Sequence, residues 1–321
     1  MTDSNDLREL RALATRLAQL RQADILIYGG ELARPGDGDV AIGRHDRPSR
    51  PNCLLLLSTL GGAADAAYRL ARTIRRQYRR LTVYVDDYCK GAGMLLALAA
   101  DELVISDFGE LGPLDLASPH AVIPGRAESG LALMQGLEAL HAQTEASFER
   151  HLTRFRSRRS LGMTTRAAIE QASALSIGLM GQVFSQIDPL QIAEADRAIR
   201  AATLYVQRLG ANHLKEGALD RLLTDYPSHD FVIDREEADD LLRTVRAPTT
   251  EESVFLTHAE PLLGERRLQG RLLLIDDALN IAESSGRSRS TDGGDGSVAP
   301  GNVEDPTEES EMSARPDGAS G

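Results

Sequence analysis

The chain has 321 residues, 42% of them hydrophobic, and carries a formal net charge of -12. That is enough apolar material for one large α/β domain with a tail, or for two domains, while so acidic a surface argues against a general binder of the phosphate backbone. The two cysteines, Cys53 and Cys89, offer neither a disulfide framework nor a zinc site, and no apolar run reaches the roughly 20 residues of a membrane span.

Apolar residues at Leu7, Leu10, Leu13, Leu17 and Leu20 follow helical spacing and predict an amphipathic N-terminal helix within residues 1–22. Residues 23–28 read as a first strand ending at Gly29-Gly30. Residues 33–51, rich in Pro, Gly, Asp and Arg and containing His45, read as a long loop that is mobile or lies over a site. Residues 52–58 form a continuous apolar run, as expected of a parallel strand covered on both faces. The run ends at Thr59-Leu60-Gly61-Gly62. The next helix keeps Ala67, Leu70, Ala71, Ile74 and Tyr78 on one face and its arginines, among them Arg75, Arg76, Arg79 and Arg80, on the other. Residues 81–85 and 102–106 are further strands, so the order is strand, glycine turn, helix, strand, turn, helix, strand.

Between those last two strands, Lys90-Gly91-Ala92-Gly93 leads into an uncharged segment, residues 94–100, that predicts a helix buried on all sides. A strand turning through small residues into a buried helix gathers free backbone N–H groups in one place, a site for an oxyanion. Two glycine-bearing turns at the carboxyl ends of neighbouring parallel strands face one crevice. Further on, Leu137, Leu140, Phe148, Leu152 and Phe155 form one helical stripe. Ile192, Ala195, Ile199, Ala202, Val206 and Leu209 form another, started by Asp188-Pro189. Residues 231–233 are a short strand candidate, followed by a charged helix at 235–242. Residues 284–321 contain no Leu, Ile, Phe or Tyr, and are expected to be a disordered tail.

The run LLLLSTLGGAADAAYRLARTIR, then CKGAGMLLALAADELVIS and GELGPLD, resembles the Clp-fold serine proteinases of the serine dehydrogenase proteinase family, relatives of signal-peptide peptidase and Clp protease. The likeness continues through residues 186–190, 212–219 and 226–238, leaving out the tail and the loop at 33–51. It implies an α/β fold of the Clp and crotonase type, with stacked ββα units at residues 23–283 and a helical C-terminal part. By the same resemblance Gly61 and Gly62 match the glycine pair of an oxyanion hole, and Ala92 supplies its second N–H. Gly91 falls where the family places its nucleophilic serine, so no hydroxyl stands there. Lys90 flanks that slot, Met94 replaces a usual threonine, and Asp115 occupies the turn where Clp protease carries its catalytic histidine.

The general base is left unassigned. Only Lys90 and Lys215 are lysine in an arginine-biased chain, and Lys215 is the candidate for a neutralisable amine. His120, His141, His151 and His229 read as helix-surface or loop residues. Cys89 and Ser58 are alternative nucleophiles that also read as buried strand residues. Three functions follow: a proteinase relative without its nucleophile that binds peptide or scaffolds an active partner subunit; an active peptidase with a substitute nucleophile; or a crotonase-like acyl-CoA enzyme using the backbone oxyanion hole. The resemblance implies a homo-oligomer acting on peptide or unfolded protein, with no cofactor or metal. The thiols and the absence of a leader-like N-terminus lead us to expect a cytoplasmic protein without nucleic-acid binding or a membrane span.

Overall fold

The computed structural model describes residues 4–32, 48–116, 130–157, 162–210, 213–263 and 272–280. Most of the loop expected at 33–51, with His45, lies outside the described residues, as do His120 and the tail.

A six-stranded sheet organises the α/β fold. Its strands are β1 (Ala23–Gly29), β2 (Asn52–Ser58), β3 (Arg80–Val85), β5 (Glu102–Ile105), β7 (Val245–Arg246) and β8 (Leu272–Leu274), in the order β7-β5-β3-β2-β1-β8. All neighbours are parallel except β8, which runs antiparallel to β1 at the edge. The continuous apolar runs are explained by cover on both faces. In β2, Cys53, Leu55 and Leu57 enter one core while Leu54 and Leu56 enter the other, and β1 divides in the same way between Leu26 with Tyr28 and Ile25 with Ile27.

The first core is closed by α2 (Ala64–Gln77), α3 (Met94–Ala99) and α6 (Pro189–Leu209). Every residue of α3 is buried, as its lack of charge requires. The second core is closed by α1 (Ser4–Arg21) and α9 (Thr250–Leu263), with Leu10, Leu17 and Phe255 fully enclosed. Leu20, expected on the apolar face of α1, is instead 60% exposed. Asp188 accepts from the Leu190 N–H at the start of α6, and Pro189 follows it in the first turn.

Between α3 and α6 the chain forms α4 (Gly130–Ser157) and α5 (Thr165–Phe184). The α4 stripe from Leu137 to Phe155 is only half-buried. Helix α5 falls within the part expected to be helical, and it exposes Ile169, Leu175, Ile177, Leu179 and Val183.

Two strands leave the main sheet early. After β3 the chain enters β4 (Tyr88–Cys89), and after β5 it enters β6 (Glu110–Leu111); these pair in parallel as a second, small sheet. Thr59 bridges to Cys89 on one side, and Ile233 bridges antiparallel to Leu111 on the other. The strand expected at 231–233 is therefore a single bridge at Ile233, preceding α8 (Arg235–Leu241). After residue 210 the chain reaches that bridge through the short helix α7 (Ala218–Asp220) and a π-helical turn, Arg221–Asp225. The ribbon Thr59, β4, β6, Ile233 runs across the ends of the long strands and carries the site.

Candidate functional site

Each strand of the ribbon delivers one turn to the same place. The first turn, after β2, has Gly61 at φ +112 and Gly62 at φ +130, conformations that side chains rarely adopt. A Cβ on Gly62 would stand 2.5 Å from the Leu32 carbonyl oxygen. That contact follows from a tight backbone exchange, with the Leu32 N–H donating to Gly61 O at 2.8 Å and the Ala63 N–H donating to Leu32 O at 2.7 Å. The Gly61 N–H is used internally, donating to Thr59 Oγ1 at 3.1 Å. Of the glycine pair, Gly62 is thus the one left to offer an N–H.

The second turn begins at Lys90. Gly91–Gly93 form a single 3₁₀ turn into α3, with no side chain capping it and Gly91 at φ +49. Gly93 lets the turn sit on the first: a Cβ there would be 2.5 Å from Thr59 Cγ2. The two turns meet where a Cβ on Gly61 would lie 3.2 Å from the Ala92 nitrogen. Glycine at 61 therefore keeps the Ala92 amide open. Among the described residues no backbone carbonyl takes the N–H of Gly62 or of Ala92. Two free donors on adjoining turns are elements from which an oxyanion site is built.

The third and fourth turns bring ionisable side chains. After β6, Gly112 donates to Cys89 O and Leu114 to Leu222 O, which fixes Asp115 in the interior with 4% exposure. Before Ile233, a turn closed by Phe231 N–H to Ser228 O places His229 and Asp230 at its tip. Tyr226 and Phe231 pack together beneath it, and Gln135 of α4 donates to Tyr226 O. His229 Nδ1 then stands 3.4 Å from Asp115 Oδ2. The Asp115 carboxylate beside it raises the His229 pKa above its ordinary value, against the opposing effect of burial.

His229, read from the sequence as a loop residue, is the side chain that faces Gly91. A Cβ on Gly91 would lie 3.0 Å from His229 Cε1 and 3.0 Å from the Asp115 carbonyl oxygen. A histidine oriented by a buried carboxylate, against a slot flanked by free amides, is the arrangement of a base, its orienter and an oxyanion site. The slot lacks a hydroxyl because residue 91 is glycine. No family model matches the chain. Two uncharacterized proteins of Methanocaldococcus jannaschii are each 34% identical to it over 61 residues, 19% of this chain and 21% of theirs. The chain thus matches about a fifth of the length of these relatives.

The lysines take other places. Lys90 is buried, and its Nζ pairs with Glu110 Oε1 at 2.9 Å and faces the carbonyls of Asp230 and Phe231 at 3.4 and 3.3 Å. It fastens β4, β6 and the His229 turn to one another. Lys215 donates to the Asp239 carbonyl in α8, with its own N–H on Leu241 O. Cys89 is fully buried, and desolvation pushes its thiol up to about 12. Ser58 is also buried. A cavity of 760 Å³ lined by residues of α8 and β7 with Arg221 lies away from these groups.

Proposed function

We propose that this protein is a Clp-fold relative of the serine dehydrogenase proteinases that has kept the base and oxyanion parts of the site, lacks the nucleophile, and binds peptide or unfolded protein as a homo-oligomeric subunit in the cytoplasm. The observation that carries this reading is the convergence of His229 and Asp115 on a glycine. The two parallel strands β3 and β5, each continuing into a short strand of a second sheet, support a Clp and crotonase type of fold. A triad enzyme without its serine loses on the order of 10⁶ in turnover, so peptide-bond cleavage is not expected of the natural chain.

A substitute nucleophile within the chain finds no support. Cys89 is buried with a raised pKa, and Ser58 lies within the sheet. The test is a binding measurement: unstructured casein or a fluorescent peptide library is titrated with the natural protein, and the recovered peptides are inspected by mass spectrometry. The reading expects saturable binding with intact peptides, weakened by Leu60→Asp at the exposed tip of the first turn. Cleaved peptides, or no binding at all, would overturn it.

A further inference from the structure

The space left by glycine at position 91 is bounded on its polar side by three groups. Measured from where a Cβ would stand, the Asp115 carbonyl oxygen and His229 Cε1 are each 3.0 Å away and the Leu60 carbonyl oxygen 3.7 Å away. With Nδ1 of His229 directed to Asp115, the remaining ring nitrogen, Nε2, is the acceptor available to a ligand. A water stands farther from the Gly91 α-carbon than a Cβ would, and by donating one hydrogen to Nε2 of the half-exposed ring it meets the acceptor that activates it. His229 is held by a buried carboxylate whether or not it has a serine to activate.

We infer that the nucleophile is a water held by His229 in the crevice beside Gly91, and that the protein hydrolyses activated acyl compounds, esters or thioesters, with His229 as general base. The inference rests on the reading of this crevice as an acyl site with an oxyanion hole. The water oxygen bonds to the acyl carbon as His229 Nε2 takes one of its protons, and the Gly62 and Ala92 amides receive the carbonyl oxygen as it becomes negative. Collapse breaks the acyl C–O or C–S bond, and the proton on His229 leaves with the alkoxide or thiolate. The products are a carboxylic acid and an alcohol or thiol, with no acyl-enzyme at any stage. Magnitudes separate the substrate classes. A positioned base contributes about 10² to 10⁴ and an oxyanion donor about 10² to 10³. Together these suffice for an ester or thioester with a good leaving group and fall short for an amide.

The experiment follows p-nitrophenyl acetate and an acetyl thioester with the full-length natural protein and three variants, each checked for folding by circular dichroism. His229→Gln removes the base, Asp115→Asn alters its orienter, and Gly91→Ala sets a Cβ against the imidazole edge while keeping both side chains of the dyad. The expected result is steady turnover without a burst, lowered about 100-fold by His229→Gln and at least tenfold by Gly91→Ala. The rate also falls as pH drops through the raised His229 pKa, a titration shaped by Asp115, Asp230 and Lys90, which act on the imidazole. Turnover equal in the natural protein and His229→Gln, or a burst with a covalent adduct, would overturn the inference. Peptide titration of the same samples separates the two readings: peptide binding without ester turnover sinks this inference alone, and ester turnover without peptide binding sinks only the peptide-subunit reading.

Discussion

His229 Nδ1 lies 3.4 Å from Asp115 Oδ2, and the imidazole edge beside that contact faces the α-carbon of Gly91. Asp115 follows β6 and His229 precedes Ile233, so the Leu111–Ile233 bridge is the element that sets the two side chains together. The folded state raises the His229 pKa, chiefly through the neighbouring Asp115 carboxylate. A raised histidine pKa contributes stability that is fully present below the unfolded value of about 6.5 and is lost as pH rises through the folded value. Urea melts of the natural protein and His229→Gln should therefore differ most below pH 6.5 and converge at higher pH. A difference that grows with pH would contradict the pairing.

Gly62→Ala is expected to disrupt the fold locally. Its Cβ would meet backbone atoms of Leu32 at 2.5 and 2.8 Å with φ at +130, so neither neighbour can yield by a rotamer change. Loss of about 3 kcal/mol or more in a denaturant melt is the expected outcome, from positive-φ strain and the overlap together. Gly136→Ala in α4, where an added Cβ meets nothing within 4 Å, is the matched control and should be neutral or stabilising.

Away from the site, Glu252 is fully buried and paired with Arg21 and Arg246, and these contacts hold its pKa down at about 2. A depressed carboxylate pKa contributes stability above the unfolded value of about 4.3 and loses it as pH falls toward 2. Glu252→Ala leaves two partly buried guanidinium groups without this partner and should cost about 3 kcal/mol, in the range found for breaking buried pairs. The measurement is a melt at pH 7 and at pH 3, and the gap between natural and variant protein should narrow at the lower pH.

Gly91→Ser should fold. Residue 91 at φ +49 is in the left-handed region, which costs a side chain roughly 1–2 kcal/mol. A melting temperature a few degrees below that of the natural protein is expected. The added side chain also presses on His229, whose ring is half-exposed and can shift outward by a few tenths of an ångström.

The sequence carried the strands and the glycine turns because they are local. Residues 52–58 are one apolar run and match β2 to the residue. The crevice between the Gly61 and Gly91 turns follows from two crossover units in succession. His229 was not legible in the same way, since nothing local marks a histidine in a Tyr-Pro-Ser-His-Asp-Phe turn as different from a surface one. Its role comes from a bridge between Ile233 and Leu111. Lys90 was read as flanking the slot, but the register that sets Tyr88 beside Glu110 brings a carboxylate to its ammonium instead. Within the part expected to be helical, α5 shows no stripe of its own because residues 171–187 contain no charge and so show no polar face, while Ile177 is in fact 70% exposed. Among the described residues no helix is long and apolar enough to cross a membrane.

The most direct measurement of the central claim is labelling by a serine-reactive fluorophosphonate of the natural protein, Gly91→Ser and Gly91→Ser with His229→Gln. The account predicts no label on the first, strong label on the second, and label reduced by two orders of magnitude or more on the third, because an activated serine needs its base. Label on the natural protein, or label on Gly91→Ser that is indifferent to His229, would show that the reactive centre lies elsewhere.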